Sequence, residues 1–249
     1  IEAFPLLKRI IQRITGGDSF YKSPTDMGVN RAGFGIVDDA VTREAGKQEI
    51  VRRFFRYSCE HALGLVDRET VERIELLMDD MGVADVRRPV VPPAREAAEE
   101  NRSRGEGNNG IYVGAALELP DGSLMTGSNS PLMHAAASLI IRSAKQLAGI
   151  PREKELLPES VIQSIGHLKK DVLGRKRVSL DVEEALIALA ISATGDPAAK
   201  AAVNSLKELR GCEVHMTHMP TPGDEAGLRR LGVNLTSDPN FVSHRLFLP

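Results

Sequence analysis

Three prolines, Pro89, Pro92 and Pro93, stand between two stretches of this chain that have different hydrophobic periods. Proline has no amide hydrogen and a fixed φ, so neither a helix interior nor a central strand tolerates it. Upstream, apolar residues recur at helical spacing: Leu7, Ile10, Ile11 and Ile14, then Ile50, Val51, Phe54 and Phe55, then Val71, Ile74, Leu77 and Met78. These stripes predict helices over 1–14, over 40–62 behind a cap at Asp38 or Asp39, and from Asp67 to a stop at Gly82. The stretch 94–110, rich in charge, Asn and Gly, reads as a mobile linker or a short exposed helix. Downstream, strands at 111–119 and 123–126 flank the Asp121-Gly122 turn.

Ser130-Pro131 reads as a cap and first helical position for a helix over 132–148. Further helices are expected at 159–172, at 182–194 behind an Asp181/Glu184 capping box, and at 197–209 behind Asp196. A strand at 212–219, a helix at 224–231 and a strand at 233–237 make a βαβ-like end. The expected fold class is α+β and helix-rich: a helical subdomain at 1–90, a linker at 91–110, and a mixed α/β subdomain at 111–249.

Aromatic residues are 4% of the 249 and tryptophan is absent, so the core must be aliphatic. The charges nearly cancel, with 32 Lys+Arg against 34 Asp+Glu. That balance argues against nucleic-acid binding and a polybasic membrane anchor, and no apolar run approaches the roughly 20 residues of a span. Two distant cysteines, Cys59 and Cys212, make no disulfide framework and fit a reducing, cytoplasmic setting. No C-x-x-C or H-E-x-x-H occurs, so no metal site is expected.

Three polar groupings could carry chemistry. The loop at 23–30 holds Ser23, Thr25, Asp26 and Asn30 around Gly28, a set able to cradle a phosphate or sugar, or simply to form capping turns. Lys47 follows on the next helix, where a solvated face is the plainer reading. On the strand near 212–218, alternation puts Glu213, His215 and Thr217 on one face, an acid–base row near a strand's carboxyl end. The loop at 220–224 then opens a helix N-terminus, a natural seat for an anion. Asn129 and Ser130 likewise stand before a helix N-terminus. His134, one turn in, reads as an ordinary satisfied histidine.

The run 23–30, Lys47-Gln48-Glu49-Ile50, Leu119-Pro120-Asp121-Gly122, Glu213-x-His215-x-Thr217 and Leu231-Gly232-Val233-Asn234-x-Thr236 together resemble the bacterial domain-of-unknown-function family 1846, also called uncharacterised protein family 0371. The resemblance implies that this chain is the C-terminal portion of a protein about twice as long, whose other half carries a Gly-rich nucleotide-binding stretch. Carried over residue by residue, it favours Ser23, Thr25, Asp26, Asn30, Lys47, Asn129, Ser130, His215 and Thr217, and leaves His218 aside. A fainter resemblance, of the 114–129 hairpin and following helix to the start of cytidine deaminases, lacks the zinc chemistry: Ala136 stands where H-x-E needs Glu.

The expected function is therefore a cytoplasmic enzyme site for a nucleotide or other small phosphate-bearing ligand, completed by the other half. His215, with Glu213 or Thr217, would move the proton, and the cofactor would be a nucleotide held mainly elsewhere. The alternative is a non-enzymatic oligomerisation module, in which the Ala135–137 face or the helix bearing Phe54 and Phe55 pairs with another copy.

Overall fold

The computed structural model describes residues 3–16 and 38–242. The chain divides into two units, Ile1–Arg88 and Pro89–Pro249.

The first unit is helical: α1 (Ala3–Thr15), α2 (Asp39–Ala62) and α3 (Arg68–Asp80), followed by a 3-10 turn at Asp85–Arg87. Asp38 caps α2 by accepting from the amides of Ala40 and Val41, and Asp67 caps α3 by accepting from Thr70. Helices α2 and α3 pack together, with Ile50, Val51 and Phe55 on one and Val71, Ile74, Leu77 and Met78 on the other all buried. Ile10 and Ile14 of α1, by contrast, are exposed.

The second unit is built on a four-stranded sheet. Its strands are β1 (Gly114–Glu118), β2 (Leu124–Ser128), β3 (Glu213–Met216) and β4 (Asn234–Ser237), in the order β2-β1-β3-β4. β1 runs antiparallel to β2 and β3, and β3 runs parallel to β4. The helices are α4 (Val91–Arg104), α5 (Ala135–Leu147), α6 (Glu159–His167, continued by a π-turn to Val172), α7 (Val182–Ser192), α8 (Pro197–Ser205) and α9 (Pro222–Leu231). α9 crosses from β3 to β4, the βαβ connection that a parallel pair requires.

Pleating sorts the sheet's side chains to two faces. Ala115, Leu117, Val214 and Met216 join the main aliphatic core with α5, α7 and α8. There Leu139, Leu189 and Leu228 are fully buried, each contributing about 1.5–3 kcal/mol. Ala116 faces the other way, onto Val90 and Ala94 at the start of α4, and His215 is its register partner on β3.

The structure changes two expectations. The stretch at 91–110, expected as a linker or a short exposed helix, contains α4, a helix with a buried face of Ala94, Ala97, Ala98 and Asn101 packed on β1. Pro92 and Pro93 sit in its first turn, where the missing amide hydrogens have no helical acceptor in any case. Next, Asn109 and Gly110, both at positive φ, form a two-residue turn closed by the Asn108–Ile111 bridge. The helix expected from residue 132 begins instead at Ala135. Leu132 accepts from the Leu180 amide and His134 donates to the Leu180 carbonyl, both at 2.8 Å, so this segment is held as a β-bridge before it can turn helical. The Ala135–137 face is buried within the unit, against its own sheet. No helix among the described residues is long and apolar enough to cross a membrane.

Candidate functional site

In open α/β sheets the crevice beyond the carboxyl ends of parallel strands is where ligands bind. At that edge of β3 and β4, three helices begin close together. Asp181 caps α7 with a complete capping box, and Thr221 caps α9. His134 occupies the cap position of α5 but makes no side-chain cap bond there. Its ring turns instead to Asp224 in the first turn of α9: His134 Nδ1 lies 2.7 Å from Asp224 Oδ2.

Asp224 is 2% exposed, and both its oxygens are engaged. Oδ2 also accepts from the Thr221 hydroxyl at 2.6 Å, and Oδ1 accepts from the Val182 amide at 3.1 Å. The carboxylate thus ties the starts of α5, α7 and α9 together. It also fixes the imidazole, which remains partly exposed in a cleft. Gly223 lets α9 begin beside Asp181, whose side chain occupies the space a Cβ would need. Burial pushes the Asp181 carboxyl up, and the charges of Glu184 and Asp224 add to that.

The cleft is partly open to solvent and has a volume of about 60 Å³. Ser130, Ser179, Arg177, Asn108 and Asn109 supply its polar lining beside His134 and Asp224. The Ser130 oxygen accepts from the amides of Leu132 and Met133, both at 3.2 Å, which leaves its proton free to donate. Arg177 donates one hydrogen bond to the Val242 carbonyl. Asn129, also in the lining, is consumed structurally. Its Oδ1 accepts from Val113 and Asn101, and its Nδ2 donates to the Ile111 carbonyl.

The residues expected as catalytic lie elsewhere. His215 is 0% exposed on the α4 face of the sheet. Its Nδ1 is 3.0 Å from Thr236 Oγ1, and its Nε2 is 3.5 Å from Asp238. Thr217 accepts from the Gly114 amide at 3.0 Å and pairs with His218, while Glu213 accepts from Asn234 at 2.8 Å. None of the three lines the cleft. Lys47 is half-buried on α2 in the first unit. Ser23, Thr25, Asp26 and Asn30 lie outside the described residues. Among the described residues no cluster of His, Cys, Asp and Glu is placed to hold a metal.

Asp238 gives the buried network a pH dependence. Burial would raise its carboxyl, but hydrogen bonds and charge from His215 and Arg95 prevail and hold it down at about 2. A depressed carboxylate stabilises the fold above its unfolded value near 3.8. That contribution disappears as pH falls through the folded value. Melting of the wild type and Asp238→Asn, followed from pH 7 to 2, should show a stability gap that is constant down to about pH 5 and closes below pH 4.

With this geometry in place, the chain can be set beside known sequences. The model described as "Domain of unknown function DUF1846, C-terminal" matches residues 86–247, and its N-terminal counterpart matches residues 1–82. The chain belongs to the DUF1846 family. A "UPF0371 protein" of Clostridium botulinum (strain Okra / Type B1) is 46% identical over 247 residues, and one from Clostridium tetani is 44% identical over the same length. Each alignment covers 99% of this chain and 49% of the relative. The chain therefore spans about half the length of the curated relatives it matches. The two family models meet between residues 82 and 86, so both the helical unit and the sheet unit of this DUF1846 chain carry family sequence. The candidate cleft lies wholly within the residues matched by the C-terminal model.

Proposed function

We propose that the second unit of this DUF1846 chain carries an acid–base enzyme site for a small phosphate-bearing ligand, with His134 as the group that moves the proton. The supporting observation is the 2.7 Å contact between His134 Nδ1 and the buried Asp224 carboxylate. A carboxylate accepting the Nδ1 proton fixes the tautomer, so that the lone pair is on Nε2. A histidine that merely fills space needs no such anchor. Ser130, Arg177 and the Asn108–Asn109 turn provide donors around it and favour an anionic ligand. In the longer relatives the remaining half would contact the rest of a nucleotide-like ligand.

Thermal shift with a panel of nucleotides and sugar phosphates checks this reading. At ligand concentrations near 100 Kd the wild type should gain about 2.7 kcal/mol. His134→Gln should melt within about 1 kcal/mol of the wild type yet bind its ligand several-fold more weakly. Failure of every phosphate compound to stabilise the wild type would refute it.

A further inference from the structure

We propose that the enclosed part of the cleft is a seat for a terminal, dianionic phosphate. The ligand is then a phosphate monoester whose ester side faces His134. This rests on the site reading above for its location but on different atoms for its argument.

The first of these is the start of α5. A helix leaves its first amides without intrahelical acceptors, and a cap side chain ordinarily takes one of them. Here the cap residue is His134, whose side chain is committed to Asp224. The amides of Ala135, Ala136 and Ala137 meet no protein acceptor among the described residues, although these residues are at most 1% exposed. Buried, unsatisfied amides are rare because each forfeits about 1–3 kcal/mol. Of the three, Ala135 lines the cleft, so an anion there would satisfy its amide, and the helix dipole favours negative charge at that end.

The second observation is independent of the helix. Ser179 is 2% exposed and lines the cleft, and its hydroxyl has no partner among the described residues. Its backbone is fixed by the buried Lys169 ammonium, which donates at 2.6 Å to the Ser179 carbonyl and at 2.6 Å to Glu184. Arg177, two residues earlier, brings a guanidinium whose remaining donors suit phosphate geometry. Among the described residues Asp224 is the only acidic side chain in the lining, and both its oxygens already face protein donors. It therefore presents little free negative charge to an incoming anion.

Size narrows the class. A cavity of about 60 Å³ holds a few waters or one tetrahedral anion, since a single water needs roughly 10–15 Å³ on this measure. A nucleoside is larger than that volume, and a dianionic monoester offers this donor set one more negative charge than a diester does. The phosphate enters and the remainder of the ligand stays outside.

Titration calorimetry on the full chain tests this, with inorganic phosphate, methyl phosphate, dimethyl phosphate and acetate as probes. Phosphate and methyl phosphate should bind, with dimethyl phosphate and acetate at least about tenfold weaker. Ser179→Ala should weaken phosphate about tenfold, the cost of one hydrogen bond to a charged group. Ala135→Pro should do the same by deleting an amide at the first helical position. His134 ahead of it already has the extended backbone (ψ 156°) that a following proline requires, and this variant serves should Ser179→Ala fold poorly. Equal binding of the monoester and the diester would overturn the proposal, as would phosphate binding unchanged in both variants. If phosphate fails to bind while the His134 ring carries its proton on Nδ1, the seat falls and the acid–base reading stands. If phosphate binds through Ser179 but the proton is on Nε2, the seat stands and the acid–base reading falls.

Discussion

Asp224→Ala should cost the second unit about 3 kcal/mol and lower its melting transition by roughly 6–12 °C. The carboxylate is 2% exposed and receives three hydrogen bonds, from His134, Thr221 and Val182. Each donor starts a different helix or precedes one. Alanine removes the shared acceptor of all three donors, and a buried donor such as the Val182 amide then loses far more than the net value of the bond it made. Asp224→Asn keeps the shape, but its amide nitrogen turns a donor toward a donor, so it should fall between alanine and the wild type. Circular dichroism melts at pH 7 would show this ordering. An alanine variant as stable as the wild type would mean that Asp224 does not join these helices.

Gly114→Val should be at least as damaging, by about 3 kcal/mol or more. A Cβ at residue 114 would lie 2.0 Å from the Ala94 carbonyl oxygen and 2.5 Å from the Ala98 amide, both main-chain atoms of α4. No side-chain rotation relieves a clash with backbone, so the helix must leave the sheet. That helix covers His215 and carries Arg95, the partner of Asp238. Gly46→Ala is the matching control. It lies inside α2 with open space around it, and should stabilise the first unit by up to about 1 kcal/mol.

The same close approach explains part of what is illegible in the sequence. The caps at Asp38, Asp67, Asp181 and Asp196 are readable because a cap is a local arrangement of one side chain and amides two or three residues on. The αβ crossover at the end is readable from its alternation and its Gly232 stop. Helix α4 is not. Its buried face is alanine, as it must be to lie against Gly114, so it lacks the large apolar stripe that marks a helix. The Asn109-Gly110 pair is a strong turn signal, obscured by the charged residues before it. Ser130-Pro131 promises a helix that a tertiary bridge to Leu180 postpones.

The site is legible only in fragments. Asn129 and Ser130 do reach the cleft, and so do Thr221, the cap of α9, and Asp224 in its first turn. The pairing of His134 with Asp224 spans 90 residues, and nothing near either residue announces the other. The row of Glu213, His215 and Thr217 follows from strand alternation, but the pleat points it at α4, where His215 is sealed by Ala116 and Asp238.

Long-range proton–nitrogen correlation NMR of the histidine rings, with and without inorganic phosphate, tests the pairing of His134 with Asp224 and the anion seat beside it. The neutral His134 ring should carry its proton on Nδ1, held by Asp224, and phosphate should shift the Nε2 resonance. In Asp224→Asn the tautomer preference should relax. A His134 ring protonated on Nε2 would contradict the pairing, and an Nε2 signal that ignores phosphate at saturating concentration would contradict the seat.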